Sequence, residues 1–329
     1  QFQREDVDRI FAVADQMEPY ALRKRVTRVL EGAILGNMFF EASTRTRVSF
    51  GSAFNLLGGE VRETAGFENS ALVKGESLQD TARVLSGFSD VICMRHPEAG
   101  SVADFATASR VPVINGGDGA NEHPTQALLD LYTIRKELVD KDRTIDGMSI
   151  AMIGDLRHGR TAHSLGKLLS LYNNTHVVLI SPAELALPES LIESMRSSGV
   201  EVTVSHEMTQ SIVDVDIVYS TRIQEERFST KQEADLYRGK FRLNQAIYTE
   251  YCQPNTVIMH PLPRDSRADA NELDIDLDDN PNLAIFRQTD NGLLVRMALF
   301  ALVLDVVDKV DEFSHEVRWY NSRQRPTKS

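Results

Sequence analysis

Apolar positions fall along the chain in two alternating forms: short unbroken runs, and stripes three and four residues apart. The first stripe, Val7, Ile10, Phe11 and Ala14, predicts a surface helix over 6–17. The run 33–40 predicts a buried strand, and Phe50, Ala53, Phe54 and Leu57 behind it predict an amphipathic helix. A short strand at 60–64 leads into the polar, glycine-punctuated loop 65–77. A helix over 78–88, a strand at 91–94, a helix over 101–109 and a strand at 111–114 continue the alternation. The loop 115–119 follows. His123-Pro124-Thr125-Gln126 then opens a helix to 138, with proline where helices accept it.

The charged, glycine-ended stretch 141–147 reads as a hinge. Strands recur beyond it at 148–153, 176–180, 200–204, 216–219 and 256–259. The last long apolar helix, about 291–307, is expected to return to the first domain. The fold class that follows is α/β, with two doubly wound domains, each a central parallel sheet flanked by helices. The expected domains are 1–140, completed by the helix at 291–307, and 148–285. A charged C-terminal tail, 311–329, has an end expected to fray.

Composition narrows the function. A chain of 329 residues is longer than one core usually serves. Hydrophobic content of 42% and charged content of 26% are those of an ordinary globular protein. A net charge of −12 argues against general binding to nucleic acid or to an anionic membrane. No apolar run reaches membrane-spanning length. Cys93 and Cys252 lie far apart with no metal-type spacing and read as reduced thiols, hence a cytoplasmic protein.

The candidate chemistry lies at strand ends, where open parallel sheets bind ligands. Ser43 stands at an N-cap position, so Thr44, Arg45, Thr46 and Arg47 fall in the first turn of a helix. A helix start presents unpaired N–H groups and a positive dipole end, and hydroxyls with guanidinium groups there suit phosphate. Later strands end in Arg95-His96, His123 to Gln126, Arg160, Thr221 to Gln224 and His260 to Arg264. One such arginine reads equally well as a surface ion pair. Several in one crevice would repel unless anions filled it.

Two other chemistries stay open at this point. Gly154 to Thr161 is one residue from a phosphate-binding P-loop, although an arginine replaces its lysine. His96, His123 and His260 each precede a proline after a strand, and three histidines can hold zinc in a metallohydrolase. Arginines at the same strand ends would oppose a cation.

The stretches Phe40-Glu41-Ala42-Ser43-Thr44-Arg45-Thr46-Arg47, His123-Pro124-Thr125-Gln126 and His260-Pro261-Leu262-Pro263-Arg264 together resemble the aspartate/ornithine carbamoyltransferases. The first is shared by both branches. The aspartate branch is favoured by His-Pro-Leu-Pro, where ornithine enzymes usually carry His-Cys-Leu-Pro. Thr221-Arg222-Ile223-Gln224-Glu225-Glu226-Arg227, and Ser70 with Lys74-Gly75-Glu76, point the same way. The ornithine branch is the alternative.

The resemblance implies transfer of the carbamoyl group of carbamoyl phosphate to L-aspartate, an early step of pyrimidine synthesis. It implies direct attack by the amine, with no metal and no cofactor. It makes 1–140 the carbamoyl-phosphate domain and 148–285 the aspartate domain. Ser43, Thr44, Arg45, Thr46 and Arg95 would hold the phosphate. Thr46, Arg95 and His123 would donate to the carbonyl oxygen. Gln126 and the carbonyls of Pro261 and Leu262 would take the carbamoyl NH₂. Lys74, Arg160, Arg222 and Gln224 would hold aspartate. The resemblance further implies a homotrimer with shared sites, in which Ser70 and Lys74 come from the neighbouring subunit. A regulatory chain or a dihydroorotase stays open as a further partner.

Overall fold

A computed structural model describes residues 2–66, 75–225, 228, 230, 235–267 and 270–319. In chain order come α1 (Arg4–Gln16), α2 (Glu18–Ala21), β1 (Arg25–Thr27), β2 (Ile34–Phe39), α3 (Thr44–Leu56), β3 (Glu60–Ala65), α4 (Leu78–Leu85), β4 (Val91–His96), α5 (Ser101–Ala108), β5 (Val113–Asp118) and α6 (Pro124–Val139). Then follow β6 (Ser149–Ile153), α7 (Arg160–Leu169), β7 (His176–Ile180), α8 (Glu189–Ser197), β8 (Glu201–Ser205), α9 (Met208–Ser211), β9 (Ile217–Ser220), α10 (Gln245–Tyr251), β10 (Val257–Met259), α11 (Ile285–Val303) and β11 (Ser314–Glu316). By compactness the chain forms two units. Unit 1 takes Gln1–Thr125 with Gly292–Ser329, and unit 2 takes Gln126–Asn291.

Unit 1 carries a parallel sheet in the order β3-β2-β4-β5. The apolar runs of β2 and β4 are almost wholly buried, as strands covered on both faces require. The edge strand β3 is polar, with Glu60, Arg62 and Glu63 exposed, which discourages further pairing. The expected return of the last long helix occurs. Phe300 of α11 is fully buried and stands edge-on to Phe50 and Phe54 of α3, with centroids 5.9 and 5.0 Å away. Arg296 lies over the Phe50 ring at 4.9 Å and donates to Ser49 Oγ at 3.0 Å. Truncating such a buried ring costs about 3–5 kcal/mol, so unit 1 depends on residues far downstream.

Three boundaries differ from the pattern. Helix α11 begins at Ile285 and ends at Val303, rather than covering 291–307. Its first turns look polar in sequence, yet Ile285 and Gln288 are buried, the latter by hydrogen bonds given below. Strand β5 runs on through Asn115, Gly116 and Gly117 to Asp118, where a loop was expected. Strands β1 and β11 are too short for a period to announce. They pair antiparallel, and Thr27 Oγ1 donates to Val310 O at 2.8 Å, so residues 314–316 of the charged tail are part of a sheet. Residues 320–329 of that tail lie outside the described residues.

Unit 2 carries a parallel sheet in the order β10-β9-β6-β7-β8. Its core joins Ile153, Val178, Ile180, Val218 and Ile258. The charged segment 141–147 is fastened to this unit: Arg143 pairs with Asp216, and Lys141 donates to the carbonyl of Asn255. Compactness thus divides the chain at Thr125/Gln126, upstream of the hinge that the charges suggest. No helix among the described residues is long and apolar enough to cross a membrane.

Candidate active site

Each sheet reverses its winding once. In unit 1 the reversal lies between β2 and β4, and in unit 2 between β6 and β9. Such points are where open parallel sheets accept ligands, beyond the strand carboxyl ends.

In unit 1, α3 starts directly beyond β2. Ser43 is its N-cap, with extended backbone angles (φ −161°, ψ 96°), but its side chain makes no capping bond. The first-turn N–H groups therefore keep their positive field without a capping hydroxyl. Thr44 and Arg45 are exposed and Thr46 is buried. Arg47 is used differently: it pairs with Glu63 at 3.0 Å, and Asn37 Nδ2 donates to both Glu63 (2.8 Å) and Arg47 O (3.0 Å). It ties α3 to β3.

Arg95 lies near the end of β4, in register with Phe39 of β2, and its carbonyl accepts the Phe40 N–H at 2.8 Å. Only 7% of it is exposed. Its Nη2 pairs with Glu41 at 2.8 Å, and Nη1 donates to Gly116 O at 3.4 Å. Gly117 has φ +133°, and a Cβ there would stand 2.8 Å from Arg95 Nη1. The glycine is required by its backbone angle, and it also leaves room for the guanidinium above it. His123, buried, sits immediately before α6. His96 has another task. Its Nδ1 accepts the Glu98 N–H at 3.1 Å, and burial holds its pKa below the ordinary value, so it serves as a neutral acceptor for the loop.

In unit 2, the fully buried Asp155 joins the loops after β6 and β9. It accepts the backbone N–H of His158 at 3.0 Å and that of Gln224 at 3.3 Å, with His158 Nδ1 at 3.1 Å. Gly154 explains the P-loop likeness: a Cβ there would lie 2.1 Å from Thr221 O. The glycine makes room for the neighbouring strand, so the P-loop pattern has a packing cause. Arg160 opens α7, and it, Arg222 and Gln224 are half-buried. Arg222 Nη1 reaches Ile223 O at 3.3 Å. Behind them Glu225 binds Arg238 and Arg267, each at 2.7 Å, and these hydrogen bonds push its pKa down to about 2.

Beyond β10, His260 shapes the loop that follows. Its Nε2 meets Glu272 Oε1 at 2.6 Å, and Nδ1 accepts the Leu262 N–H at 2.8 Å. Since Nδ1 accepts, Nε2 carries the proton and donates it to the carboxylate. Leu262 takes φ +57°. Arg264 is engaged by Asp278 at 2.7 Å. Gln126, in the first turn of α6, donates from Nε2 to Asp130 at 2.8 Å.

The structure therefore places Ser43, Thr44, Arg45, Thr46, Arg95 and His123 at or just beyond the carboxyl ends of the neighbouring strands β2, β4 and β5 of unit 1. It places Arg160, Arg222, Gln224, Pro261 and Leu262 beyond the carboxyl ends of the neighbouring strands β6, β9 and β10 of unit 2, where Gln126 is also counted. Ser70 and Lys74 lie outside the described residues. The zinc reading loses its donors, since His96 and His260 are held by Glu98 and Glu272. Among the described residues no group of His, Cys, Asp and Glu could hold a metal ion. Glu41, Asp130, Asp155 and Glu272, which hold the functional groups in place, were not anticipated. Each looks like a surface acid in sequence; only its burial or its donors mark it.

A family model described as "Aspartate/ornithine carbamoyltransferase, carbamoyl-P binding domain" matches residues 1–136. A second, "Aspartate/ornithine carbamoyltransferase, Asp/Orn binding domain", matches residues 146–303. The chain is 76% identical to the aspartate carbamoyltransferase catalytic subunit of Saccharophagus degradans, over 98% of this chain and 96% of that protein. It is 75% identical to that of Cellvibrio japonicus, over 98% and 95%. The solved catalytic subunit of M. jannaschii aspartate transcarbamoylase superposes with a TM-score of 0.83 at 40% identity, covering 94% of this chain and 97% of that one. Aspartate transcarbamoylase from Trypanosoma cruzi, solved in complex with carbamoyl phosphate and aspartate, gives 0.82 at 37% identity, covering 91% and 93%.

Proposed function

Because the chain belongs to the aspartate/ornithine carbamoyltransferase family, we propose that it transfers the carbamoyl group of carbamoyl phosphate to the amine of L-aspartate. The products are N-carbamoyl-L-aspartate and phosphate. The observation that carries the residue assignment in unit 1 is the buried Arg95, held by Glu41 beside the uncapped start of α3. Phosphate is the ligand whose charge and oxygens suit that set.

In this reading Ser43, Thr44, Arg45, Thr46 and Arg95 hold the phosphate. The neutral amine attacks the carbamoyl carbon, a C–N bond forms, and a tetrahedral intermediate results. Thr46, Arg95 and His123 donate to its oxygen, which carries more charge than in the substrate, so these donors favour the transition state. The C–O bond to phosphate then breaks, and the amine proton leaves with the phosphate. Gln126 and the carbonyls of Pro261 and Leu262 accept from the carbamoyl NH₂. Arg160, Arg222 and Gln224 take the carboxylates of aspartate, where planar guanidinium forks fit. Neither metal nor organic cofactor enters this chemistry. Unit 1 thus serves the phosphate and the carbonyl oxygen of carbamoyl phosphate, and unit 2 serves its NH₂ and the aspartate.

We further propose a homotrimer in which Ser70 and Lys74 act in the neighbouring subunit's site, and a cytoplasmic setting in which Cys93 and Cys252 stay reduced.

The direct test is a colorimetric assay for carbamoyl-aspartate, run beside one with ornithine as acceptor. Aspartate is expected to be carbamoylated at least a hundredfold faster, because ornithine would bring a cation to Arg160 and Arg222. Faster carbamoylation of ornithine would sink the aspartate assignment.

A further inference from the structure

Inside unit 2 one carboxylate collects more hydrogen bonds than a surface acid of a helix would. Asp130 on α6 is fully buried. Its Oδ1 accepts from Gln126 Nε2 at 2.8 Å and from Gln288 Nε2 at 2.6 Å, and its Oδ2 accepts from the Tyr219 hydroxyl at 2.7 Å. Burial, then the charge of Asp130, push the Tyr219 pKa far up, so the phenol remains a donor. Gln288 and Tyr219 are as buried as the carboxylate they meet. The arrangement continues outward: Gln288 Oε1 accepts the backbone N–H of His260 at 3.0 Å.

A side-chain amide has a donor end and an acceptor end, and its surroundings decide which way it points. A carboxylate oxygen accepts only. Asp130 therefore draws the NH₂ ends of two glutamines to itself and turns both carbonyl ends away. Gln126 Oε1 is left for a ligand. Gln288 Oε1 is left for His260, at the root of the loop bearing the Pro261 and Leu262 carbonyls.

We infer that Asp130 is the positioning residue of the carbamoyl-amide pocket: it turns the Gln126 carbonyl outward as an acceptor and, through Gln288 and His260, holds the loop bearing the 261–262 carbonyls, so that the site selects an acyl phosphate bearing NH₂ over one bearing CH₃. This rests on the carbamoyl-transfer reading above. Asp130 touches no substrate; it acts through the two glutamines. An asparagine at 130 keeps the shape but offers a donor of its own. Gln126 is then free to turn over and present NH₂ to the substrate NH₂, which sets donor against donor.

The test measures dissociation constants of carbamoyl phosphate, acetyl phosphate and inorganic phosphate for the wild type and for Asp130→Asn. Melting curves confirm that the variant is folded. Carbamoyl phosphate is expected to weaken by roughly ten- to a hundredfold, the usual penalty for an unmet buried donor. Acetyl phosphate and inorganic phosphate are expected to stay within about threefold. A uniform loss for all three ligands, or an unchanged preference, would overturn the inference. If Asp130→Asn does not fold, Gln288→Met takes its place, because it cuts the link to His260 and leaves the Gln126 bond. Its preference for carbamoyl over acetyl phosphate is expected to fall by about three- to tenfold, and no change would overturn the inference equally. A wild-type protein that binds both acyl phosphates alike would overturn it as well, whereas failure to form carbamoyl-aspartate from carbamoyl phosphate would overturn the carbamoyl-transfer reading on which it rests.

Discussion

Replacing Arg95 by alanine is expected to lower kcat by about a thousandfold or more, with the fold retained. An oxyanion donor alone is typically worth 10²–10³ in kcat, and in the proposed mechanism Arg95 also neutralises phosphate. Its burial removes the competing water that weakens surface arginines. Melting temperature should fall modestly, since Glu41 loses the guanidinium that it pairs with at 2.8 Å. Arg95→Lys should recover little, because an ammonium cannot meet Glu41, Gly116 O and a ligand in one plane. The same variant tests the shared site. In a cyclic trimer containing both Arg95→Ala and Lys74→Ala chains, one interface joins an intact loop to an intact body. Refolding the two inactive variants together should restore activity, up to one native site per mixed trimer. Mixed trimers, confirmed by native mass spectrometry, that stay as inactive as their parents would overturn the sharing.

The second large effect is expected at Arg222. Arg222→Ala should raise the KM for aspartate by about a hundredfold, the worth of a bidentate charge-assisted contact. The dissociation constant of carbamoyl phosphate should hardly move, because the phosphate residues belong to unit 1. Arg222→Lys should restore less than a tenth of the loss, since aspartate carboxylates call for a planar fork. Equal weakening of both substrates would contradict the division of roles between the units.

Much of this was readable from the chain. Parallel strands announce themselves as unbroken apolar runs, and those at β2, β4, β6 and β7 lie within about two residues of their expected places at one end or both. The arginines of the candidate site were readable because strand ends in open sheets are where ligands go. Less visible was everything that depends on burial of polar groups. Gln288 made the first turns of α11 look like surface, and nothing in the α6 sequence marked Asp130 as buried. Neither signal is in the period, because hydrogen bonds at 2.6 and 2.8 Å, rather than apolar contact, hold these side chains inside. Gly116 and Gly117 looked like a loop for a similar reason: they are small to admit Cys93 and Arg95, and the backbone there is strand. The charged segment 141–147 looked like a hinge, yet Arg143 and Lys141 fasten it to unit 2. The family models part the chain at 136–146, near that segment, while compactness parts it within the first turn of α6.

The return of α11 to unit 1 has a consequence for synthesis. Unit 2 is continuous in sequence, but unit 1 is not: Phe50 and Phe54 meet Phe300 only after all of unit 2 has been made. At about 5–20 residues per second, the apolar face of α3 waits roughly twelve to fifty seconds for its cover. The unit begun first is therefore finished last, reversing the usual order in which domains mature as a chain emerges. Limited proteolysis of a fragment ending at Asn291 should leave unit 2 resistant and residues 1–125 cleavable. Equal resistance of the two would show that α3 finds cover without α11. During that interval the nascent chain carries an open aromatic surface, of the kind that makes an incomplete domain prone to aggregate.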